Sequence, residues 1–229
     1  LGANPHALGP WFAAEFNRED AAAASVVCRE LGVPWETVKA ALLAFTGVPG
    51  RFEWVQREPF GVVIDYAHTP GSLEAIYRTL KEFLVKRTAS GTAETAGLSD
   101  KLICVLGSAG GGRDKWKRKE FGKIAAKYCG KIILTNEDPY DENPEKILAQ
   151  IADGISRDAN VHGEEHCVKV LDRSEAIKKA IEMAKPGDVV VMTGKGSESW
   201  MHLRKGTKIP WDERGVAEEA IRSATNSRT

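Results

Sequence analysis

Four clusters of polar residues and glycines in this 229-residue chain have compositions suited to binding ligands. In the first cluster, Asp65 and His68 stand three residues apart directly after an apolar run. A carboxylate and an imidazole in this position could hydrogen-bond a ribose and pack on a base. Asp65 and Thr69 could equally cap the helix that follows, since such residues favour helix N-termini. The chemistry alone leaves both interpretations open.

The second cluster is a glycine loop, residues 107–112, which reads Gly-Ser-Ala-Gly-Gly-Gly and is followed by Arg113 and Lys115. A glycine loop that enters a helix presents backbone N–H groups to an anion, and the two cations add positive charge. The spacing approaches that of a Walker A loop, but Arg113-Asp114 stands where Lys-[Ser/Thr] is required. The loop around Gly112 and Lys115 therefore predicts anion binding without a self-sufficient phosphate loop.

The third and fourth clusters follow two further apolar runs. Residues 136–144 contain four acids, Glu137, Asp138, Asp141 and Glu142, which could form the wall of a cation-binding pocket. A solvated loop with a helix cap at Asn143 is equally plausible for the last two acids. Residues 194–198 read Gly-Lys-Gly-Ser-Glu, where the glycines permit close backbone approach and Glu198 should point into a shared crevice.

One further pattern resembles a metal site. Residues 162–166 fit the letters H-x-x-E-H of a zinc-peptidase motif, which needs both histidines on one face of a stable helix. Here the pattern lies in a polar connection that contains Gly163. We expect a solvated loop and no metal.

The elements that must position these clusters alternate along the chain. Apolar runs predict strands near residues 60–66, 101–106, 131–135, 167–171 and 188–193, and helical patterns lie between them. This alternation predicts an α/β fold with a Rossmann-like, mostly parallel sheet flanked by helices. Ligands of such sheets bind beyond the carboxyl ends of the strands, where all four clusters fall.

Residues 1–47 have a different pattern of predicted elements from the remainder of the chain. Two predicted helices, near 19–31 and 34–45, precede the breaker Gly47-Val48-Pro49-Gly50. We therefore predict a domain boundary there, with residues 48–229 forming the α/β domain. Leu1 stands where a complete chain would have Met, so the sequence predicts a fragment.

Bulk composition excludes some classes of function. Lys plus Arg and Asp plus Glu both number 32, so the chain lacks the positive excess typical of proteins that bind nucleic acid or membrane surfaces. No run approaches the roughly 18 apolar residues of a spanning helix. We expect a cytoplasmic monomer whose four cysteines, Cys28, Cys104, Cys129 and Cys167, are reduced thiols, since none forms a C-x-x-C pair.

Six short motifs together resemble the Mur ligase family. In chain order they are Gly50-Arg51-Phe52-Glu53, Asp65-Tyr66-Ala67-His68-Thr69-Pro70, Gly112-Arg113-Asp114-Lys115, Glu137-Asp138-Pro139-Tyr140, Gly194-Lys195-Gly196-Ser197-Glu198 and Trp211-Asp212-Glu213-Arg214. They span residues 48 to 215, which is the length of the family's carboxy-terminal domain. The two preceding helices resemble the end of its central ATPase domain.

The resemblance implies a cytoplasmic ATP-dependent ligase of peptidoglycan biosynthesis that phosphorylates a carboxylate and lets an amine displace the phosphate. Its partners would be a UDP-N-acetylmuramoyl-dipeptide, an incoming amino acid, and its own amino-terminal and central domains. The central domain of the family carries the phosphate loop and the Mg²⁺ ligands. A chain without that domain should be inactive alone.

The resemblance also implies roles for single residues. Arg51, Asp65 and His68 would contact the adenosine of ATP. Arg113 would bind the carboxylate of the amino acid, since a guanidinium binds such a group with two hydrogen bonds. The side-chain end of the amino acid would lie against Asp138, Tyr140, Gly194 and Glu198.

Two departures from the family pattern concern the substrate. Diaminopimelate-adding members have Asp-Asn-Pro-Arg where this chain has Glu137-Asp138-Pro139-Tyr140, and Ser197 replaces a His. Loss of that arginine should weaken binding of a second carboxylate, while Asp138 and Glu198 favour a terminal amine. Either meso-diaminopimelate or L-lysine is therefore expected. A folylpolyglutamate-synthase-like ligase and a non-catalytic nucleotide- or anion-binding module are the alternatives.

Overall fold

The computed structural model describes residues 8–89, 101–112, 114–155 and 166–228. Its seven α-helices within these ranges are α1 (Glu15–Glu30), α2 (Trp35–Ala44), α3 (Pro70–Ala89), α4 (Trp116–Tyr128), α5 (Pro144–Ile155), α6 (Arg173–Met183) and α7 (Glu213–Arg228). The strands are β1 (Glu53–Gln56), β2 (Gly61–Asp65), β3 (Leu102–Leu106), β4 (Lys131–Leu134), β5 (Cys167–Lys169), β6 (Val189–Thr193), β7 (Trp200–His202) and β8 (Lys208–Pro210).

Six of these strands form one sheet in the order β1-β2-β6-β3-β4-β5. All neighbouring pairs are parallel except β1 and β2, which are antiparallel. The predicted Rossmann-like, mostly parallel sheet is therefore confirmed. The carboxyl ends of β2, β6, β3 and β4 lie side by side, and all four clusters follow these strands.

Helices cover both faces of the sheet, and the central strands are therefore buried on both sides. Leu102, Cys104 and Leu106 of β3 point into a core shared with α3, α4 and α5. Ile103 and Val105 point into a second core shared with α6 and α7. This alternation along one strand explains why the sequence shows continuous apolar runs instead of a polar face.

The two amino-terminal helices pack against the first of these cores. Trp11 and Phe12, from a short 3-10 helix, belong to that core, and the Trp11 indole donates to the carbonyl of Arg51 at 2.9 Å. Gly47 has φ +116° and lies against the Trp11 ring. The predicted boundary near residue 47 stays a prediction, since the helices before it share a core with the sheet.

Some features differ from the sequence predictions. The edge strand β1 and the hairpin of β7 and β8 were not predicted, because each has only three or four residues. The expectation of four reduced thiols is wrong for Cys104 and Cys129, which form a disulfide, whereas Cys28 and Cys167 are free. Packing of α4 on β3 brings the two Cα atoms to 6.1 Å across 25 residues of sequence, a proximity that spacing does not reveal.

Among the described helices, none is long and apolar enough to cross a membrane. The H-x-x-E-H pattern lies outside the described residues except for His166, as does most of the small polar stretch after α3.

Candidate functional site

The loop after β2 is organised by Asp65. Its carboxylate accepts hydrogen bonds from the backbone N–H groups of Phe52 and Ala67, each at 2.8 Å. Burial raises the pKa of Asp65, and the two amide hydrogen bonds oppose that rise. Asp65 therefore fixes the segment around Arg51 to the end of β2 and does not cap α3. The cap comes from Thr69, whose hydroxyl accepts from the N–H of Ser72.

Arg51 and His68 flank the ring of Tyr66, the residue that follows Asp65. The Arg51 guanidinium carbon lies 4.0 Å from the centre of the Tyr66 ring, and the His68 ring lies 4.6 Å from it. His68 is exposed, and its Nδ1 is 2.8 Å from the carbonyl of Tyr66. The three predicted adenosine residues thus lie close together.

A cavity of about 770 Å³ opens beside these three residues, between α1, α2 and the loop after β2. Trp11, Phe16 and Phe45 give it an apolar wall, while Asn17 and Asp20 of α1 contribute polar groups. Asn17 and Asp20 were not predicted from the sequence, because α1 reads as an ordinary alanine-rich helix. An aromatic wall with a few polar groups suits a heteroaromatic ligand.

The glycine loop after β3 is held by Glu142. This carboxylate receives two hydrogen bonds from Arg118, at 3.0 and 3.1 Å, and one from the N–H of Gly112 at 2.7 Å. Lys115 lies 3.5 Å from it. The hydrogen bond from Arg118 is the main reason that the pKa of Glu142 falls to about 2. Glu142 is therefore not a merely solvated residue.

An internal carboxylate thus already contacts Gly112 and Lys115, the two residues predicted to bind an anion. Arg113, predicted to bind the amino acid's carboxylate, lies outside the described residues. The loop backbone is further fixed by the N–H of Gly110, which donates to the carbonyl of Asp138 at 2.7 Å.

Lys195 lies between the loops that follow β4 and β6 and joins them; the space between these loops is the acidic crevice. Its side chain is fully buried, and its ammonium donates to both oxygens of Asp138, at 3.0 and 3.1 Å. The same ammonium donates to Glu198 Oε2 at 2.6 Å and to the carbonyl of Trp200 at 2.7 Å. The two carboxylates predicted to bind a substrate amine therefore already share one internal ammonium.

Glu198 is fixed from its other side by Tyr66. The Tyr66 hydroxyl donates to Glu198 Oε1 at 2.7 Å. Burial alone would raise the pKa of Glu198, but the hydrogen bonds from Lys195 and Tyr66 outweigh burial and lower it. Glu198 is therefore ionised at neutral pH with both oxygens engaged.

Glu137, predicted only as one of four acids in the wall of a cation-binding pocket, has a distinct environment in this crevice. Its side chain is buried, and among the described residues no donor makes a hydrogen bond to its carboxylate. Burial is the largest cause that raises the pKa of Glu137 to about 7, and Asp138 raises it further while Arg173 and Lys195 oppose the rise. The Glu137 carboxylate is therefore available to a partner from outside the described residues.

Gly194 provides the space for Glu137. It has φ +105°, and a Cβ at this position would collide with Oε2 of Glu137. Any side chain at residue 194 would therefore displace the carboxylate in addition to being strained.

The hairpin of β7 and β8 covers the acidic loop after β4. The N–H of His202 donates to Asp138 at 2.8 Å, and the N–H of Lys205 donates to Asp141 at 2.8 Å. The Tyr140 ring, predicted to face the substrate, stacks on the His202 ring with 5.2 Å between centres and an angle of 19°. Tyr140 is therefore one member of a stacked aromatic pair with the hairpin.

The buried ion pair of Arg173 and Glu213 lies next to the carboxyl ends of β4 and β6. The Arg173 guanidinium donates to Glu213 at 2.5 Å, to the carbonyl of Thr193 at 2.9 Å and to that of Asn136 at 3.3 Å. These carbonyls immediately precede Gly194 and Glu137. Arg173 thus fixes the separation of the strand ends that carry the acidic crevice.

The four acids after β4 do not form a metal centre. In the described ranges, no group of three or more His, Cys, Asp or Glu side chains could hold a metal ion. Each acid has a different environment: Glu137 lacks a donor, Asp138 bonds Lys195, Asp141 bonds Lys205, and Glu142 bonds Arg118. The described residues therefore do not fit a Mg²⁺ site.

The chain is an α/β domain with a mostly parallel sheet, an aromatic cavity beside the loop after β2, and an acidic crevice between the loops that follow β4 and β6. The sequence profile of the family described as "Mur ligase, glutamate ligase domain" matches residues 50–196. This chain belongs to the Mur ligase family.

Individual relatives are similar over most of the chain. A UDP-N-acetylmuramoyl-L-alanyl-D-glutamate–2,6-diaminopimelate ligase from Aquifex aeolicus is 43% identical over 190 residues, 83% of this chain and 35% of the relative. A UDP-N-acetylmuramyl-tripeptide synthetase from Roseiflexus is 38% identical over 221 residues, 93% of this chain and 40% of the relative. The chain thus spans well under half the length of these relatives.

The solved structure of a UDP-N-acetylmuramoyl-L-alanyl-D-glutamate–2,6-diaminopimelate ligase superposes with a TM-score of 0.64 at 29% identity. It covers 93% of this chain and 39% of that one. Residues 48–229 are 182 of the 229 residues, so a share of 93% must extend into residues 1–47.

Proposed function

We propose that this chain is the amino-acid-binding part of an ATP-dependent ligase that adds a diamino acid to UDP-N-acetylmuramoyl-L-alanyl-D-glutamate in peptidoglycan biosynthesis. The amine of the diamino acid displaces phosphate from an acyl-phosphate. The observation that carries this proposal is the acidic crevice, in which Glu137 lacks a donor beside the carboxylates held by Lys195.

Charge in the crevice supports an amine as ligand. Asp138 and Glu198 carry two negative charges against the one positive charge of Lys195, so the group is acidic even with Glu137 protonated. A substrate ammonium beside Glu137 would supply the missing partner and favour its ionised form. Catalysis would then rest on positioning the attacking amine and not on a covalent residue of this chain.

The nucleotide is assigned to the cavity beside Arg51, Asp65 and His68. Its aromatic wall suits adenine, and Arg51 and His68 stand at its rim. ATP would contribute the phosphoryl group that activates the carboxylate. The Mg²⁺ that accompanies ATP is assigned to the part of the relatives that this chain does not span, since the described residues do not fit it.

Which diamino acid is added depends on the Tyr140 side of the crevice. The similarity to diaminopimelate ligases favours meso-diaminopimelate. The stacked pair of Tyr140 and His202 offers less positive charge to a second carboxylate than an arginine would, which favours L-lysine. Both substrates belong in the test.

The test is amino-acid-dependent phosphate release from ATP, with the protein expressed from its complete reading frame and UDP-N-acetylmuramoyl-dipeptide as acceptor. The amino acids compared are meso-diaminopimelate, L-lysine, L-ornithine and L-glutamate. Release with a diamino acid supports the proposal. Release only with glutamate and a folate acceptor would replace it with the folylpolyglutamate-type ligase, and nucleotide binding without release under any condition would replace it with a binding module.

A further inference from the structure

Tyr66 is the one described side chain for which the structure gives contacts both to a predicted adenosine residue and to a predicted amino-acid residue. Its ring contacts Arg51 and His68, and its hydroxyl donates to Glu198. Tyr66 was part of a motif in the sequence but received no role there. Its position between the two halves of the site gives it one.

The ring of Tyr66 is held tightly in its position. Arg51 covers it with a guanidinium 4.0 Å from its centre, a distance at which the cation is attracted to the ring. The backbone of Gly196 lies so close that a Cβ there would be 2.8 Å from the Tyr66 Cβ. The ring therefore cannot rotate away without displacing Arg51 or the loop that carries Glu198.

The hydroxyl of Tyr66 donates its proton in a hydrogen bond to Glu198. Its hydrogen bond to Glu198 is the main reason that the pKa of Tyr66 rises to about 12, so the phenol stays protonated throughout the neutral range. Glu198 Oε2 is bound by Lys195 at the same time. Loss of the Tyr66 hydroxyl would free Glu198 Oε1 and let the carboxylate turn about its bond to Lys195.

From this geometry, and resting on the proposed function, we infer that Tyr66 is a positioning residue that couples nucleotide binding at Arg51 to diamino-acid binding at Glu198. A bound nucleotide that moves the Arg51 guanidinium relative to the Tyr66 ring also changes the position of the Tyr66 hydroxyl. Because that hydroxyl donates to Glu198, the orientation of the Glu198 carboxylate changes with it. By thermodynamic linkage, the amino acid then affects nucleotide affinity by the same factor.

Two variants separate the halves of this link. Tyr66→Phe keeps the ring under Arg51 and removes the bond to Glu198, whereas Arg51→Met keeps that bond and removes the cation from the ring. Tyr128→Phe is the matched control, because it removes another tyrosine-to-glutamate hydrogen bond, 3.0 Å long to Glu74, outside the candidate site. All proteins are expressed from the complete reading frame.

The measurements are KM and kcat for the diamino acid, and its dissociation constant with and without a non-hydrolysable ATP analogue. For Tyr66→Phe we expect KM to rise roughly tenfold with little change in kcat, since a hydrogen bond to a charged group is lost. In the wild type and in Tyr128→Phe, the analogue should change the amino-acid dissociation constant about fivefold or more. That ratio should approach one in Tyr66→Phe and in Arg51→Met.

The outcomes distinguish the inference from the proposed function. An active wild type with Tyr66→Phe and Tyr128→Phe equal in KM and in the analogue-dependent ratio would overturn the coupling role and leave the ligase assignment intact. A wild type without any response to diamino acids would overturn both.

Discussion

The ammonium of Lys195 lies 3.0 Å from Asp138 Oδ1, and both side chains are shielded from solvent at the carboxyl edge of the sheet. An ammonium in this position would be costly to bury alone, and so would the carboxylate. Each therefore makes the other's burial possible. The pair also joins the loop after β4 to the loop after β6, because the two residues stand on different strands.

Replacing Lys195 should therefore destabilise the fold strongly. Lys195→Met leaves Asp138 buried without a cation, and we expect a loss of about 3–5 kcal/mol in the free energy of unfolding. Urea denaturation of the 229-residue chain measures it. Lys119→Met, which removes an exposed ion pair 3.9 Å long, is the control and should change stability by under about 1 kcal/mol. Equal stabilities of the two variants would contradict a structural role for the buried pair.

Gly194→Ala should lower the free energy of unfolding by more than backbone strain alone would. The φ of +105° disfavours alanine, and the added Cβ would collide with the Glu137 carboxylate. Gly206→Ala is a control for a positive φ without a collision, because Gly206 has φ +70° and open space around it. We expect about 1–2 kcal/mol for the control and a clearly larger loss for Gly194→Ala. The collision itself is tested by Gly194→Ala in a Glu137→Ala background, where φ is unchanged and the carboxylate is absent. Thermal unfolding should show a smaller loss from Gly194→Ala in that background than in the wild type.

Glu137 should make the folded chain less stable as pH rises. Burial raises the pKa of Glu137 from 4.5 to about 7 in the folded state, so the folded chain binds the proton more tightly than the unfolded chain does. The stability lost from this group begins near pH 4.5 and is complete above about pH 7, and it amounts to at most about 3 kcal/mol.

The variant Glu137→Gln removes this titration and serves to measure it. The unfolding free energy of the variant relative to wild type should rise between pH 4.5 and pH 7 and stay constant above that range. Urea denaturation at a series of pH values gives this difference. A difference that does not change with pH would show that Glu137 has an ordinary pKa in the folded chain.

Arg173 should be needed for the arrangement of the crevice as well as for stability. Arg173→Met leaves Glu213 buried without its cation and removes the donor to the carbonyls of Thr193 and Asn136, so we expect a loss of about 3–5 kcal/mol. The double variant Arg173→Met/Glu213→Leu removes both charges and should recover much of that loss. Its affinity for the diamino acid should stay reduced, since the strand ends remain unfixed. Full recovery of affinity would limit Arg173 to a stabilising role.

The sheet could be predicted from the sequence because its central strands are buried on both faces. Val62 to Ile64 and Val189 to Met192 are continuous β-branched or apolar runs, and helical patterns separate them. β1 and the β7–β8 hairpin escaped prediction, because short strands at the edge of a sheet carry no such signal.

The candidate site could be predicted only in part, because sequence gives the positions of charges and not their partners. The motifs placed Asp138, Gly194 and Glu198 at one edge of the sheet, as the structure does. They gave no sign that Lys195 bonds both acids, nor that Glu142 reaches back to Gly112. Glu137 stood beside Asp138 in the same motif, and only its burial without a donor distinguishes it.

Every hydrogen bond described above between the hairpin of β7 and β8 and the acidic crevice uses a main-chain atom of the hairpin. The N–H groups of His202 and Lys205 and the carbonyl of Trp200 make these bonds. Side chains on the hairpin can therefore change during evolution without undoing its attachment. The hairpin is therefore a segment whose side chains could be exchanged while its position over the acidic crevice is kept.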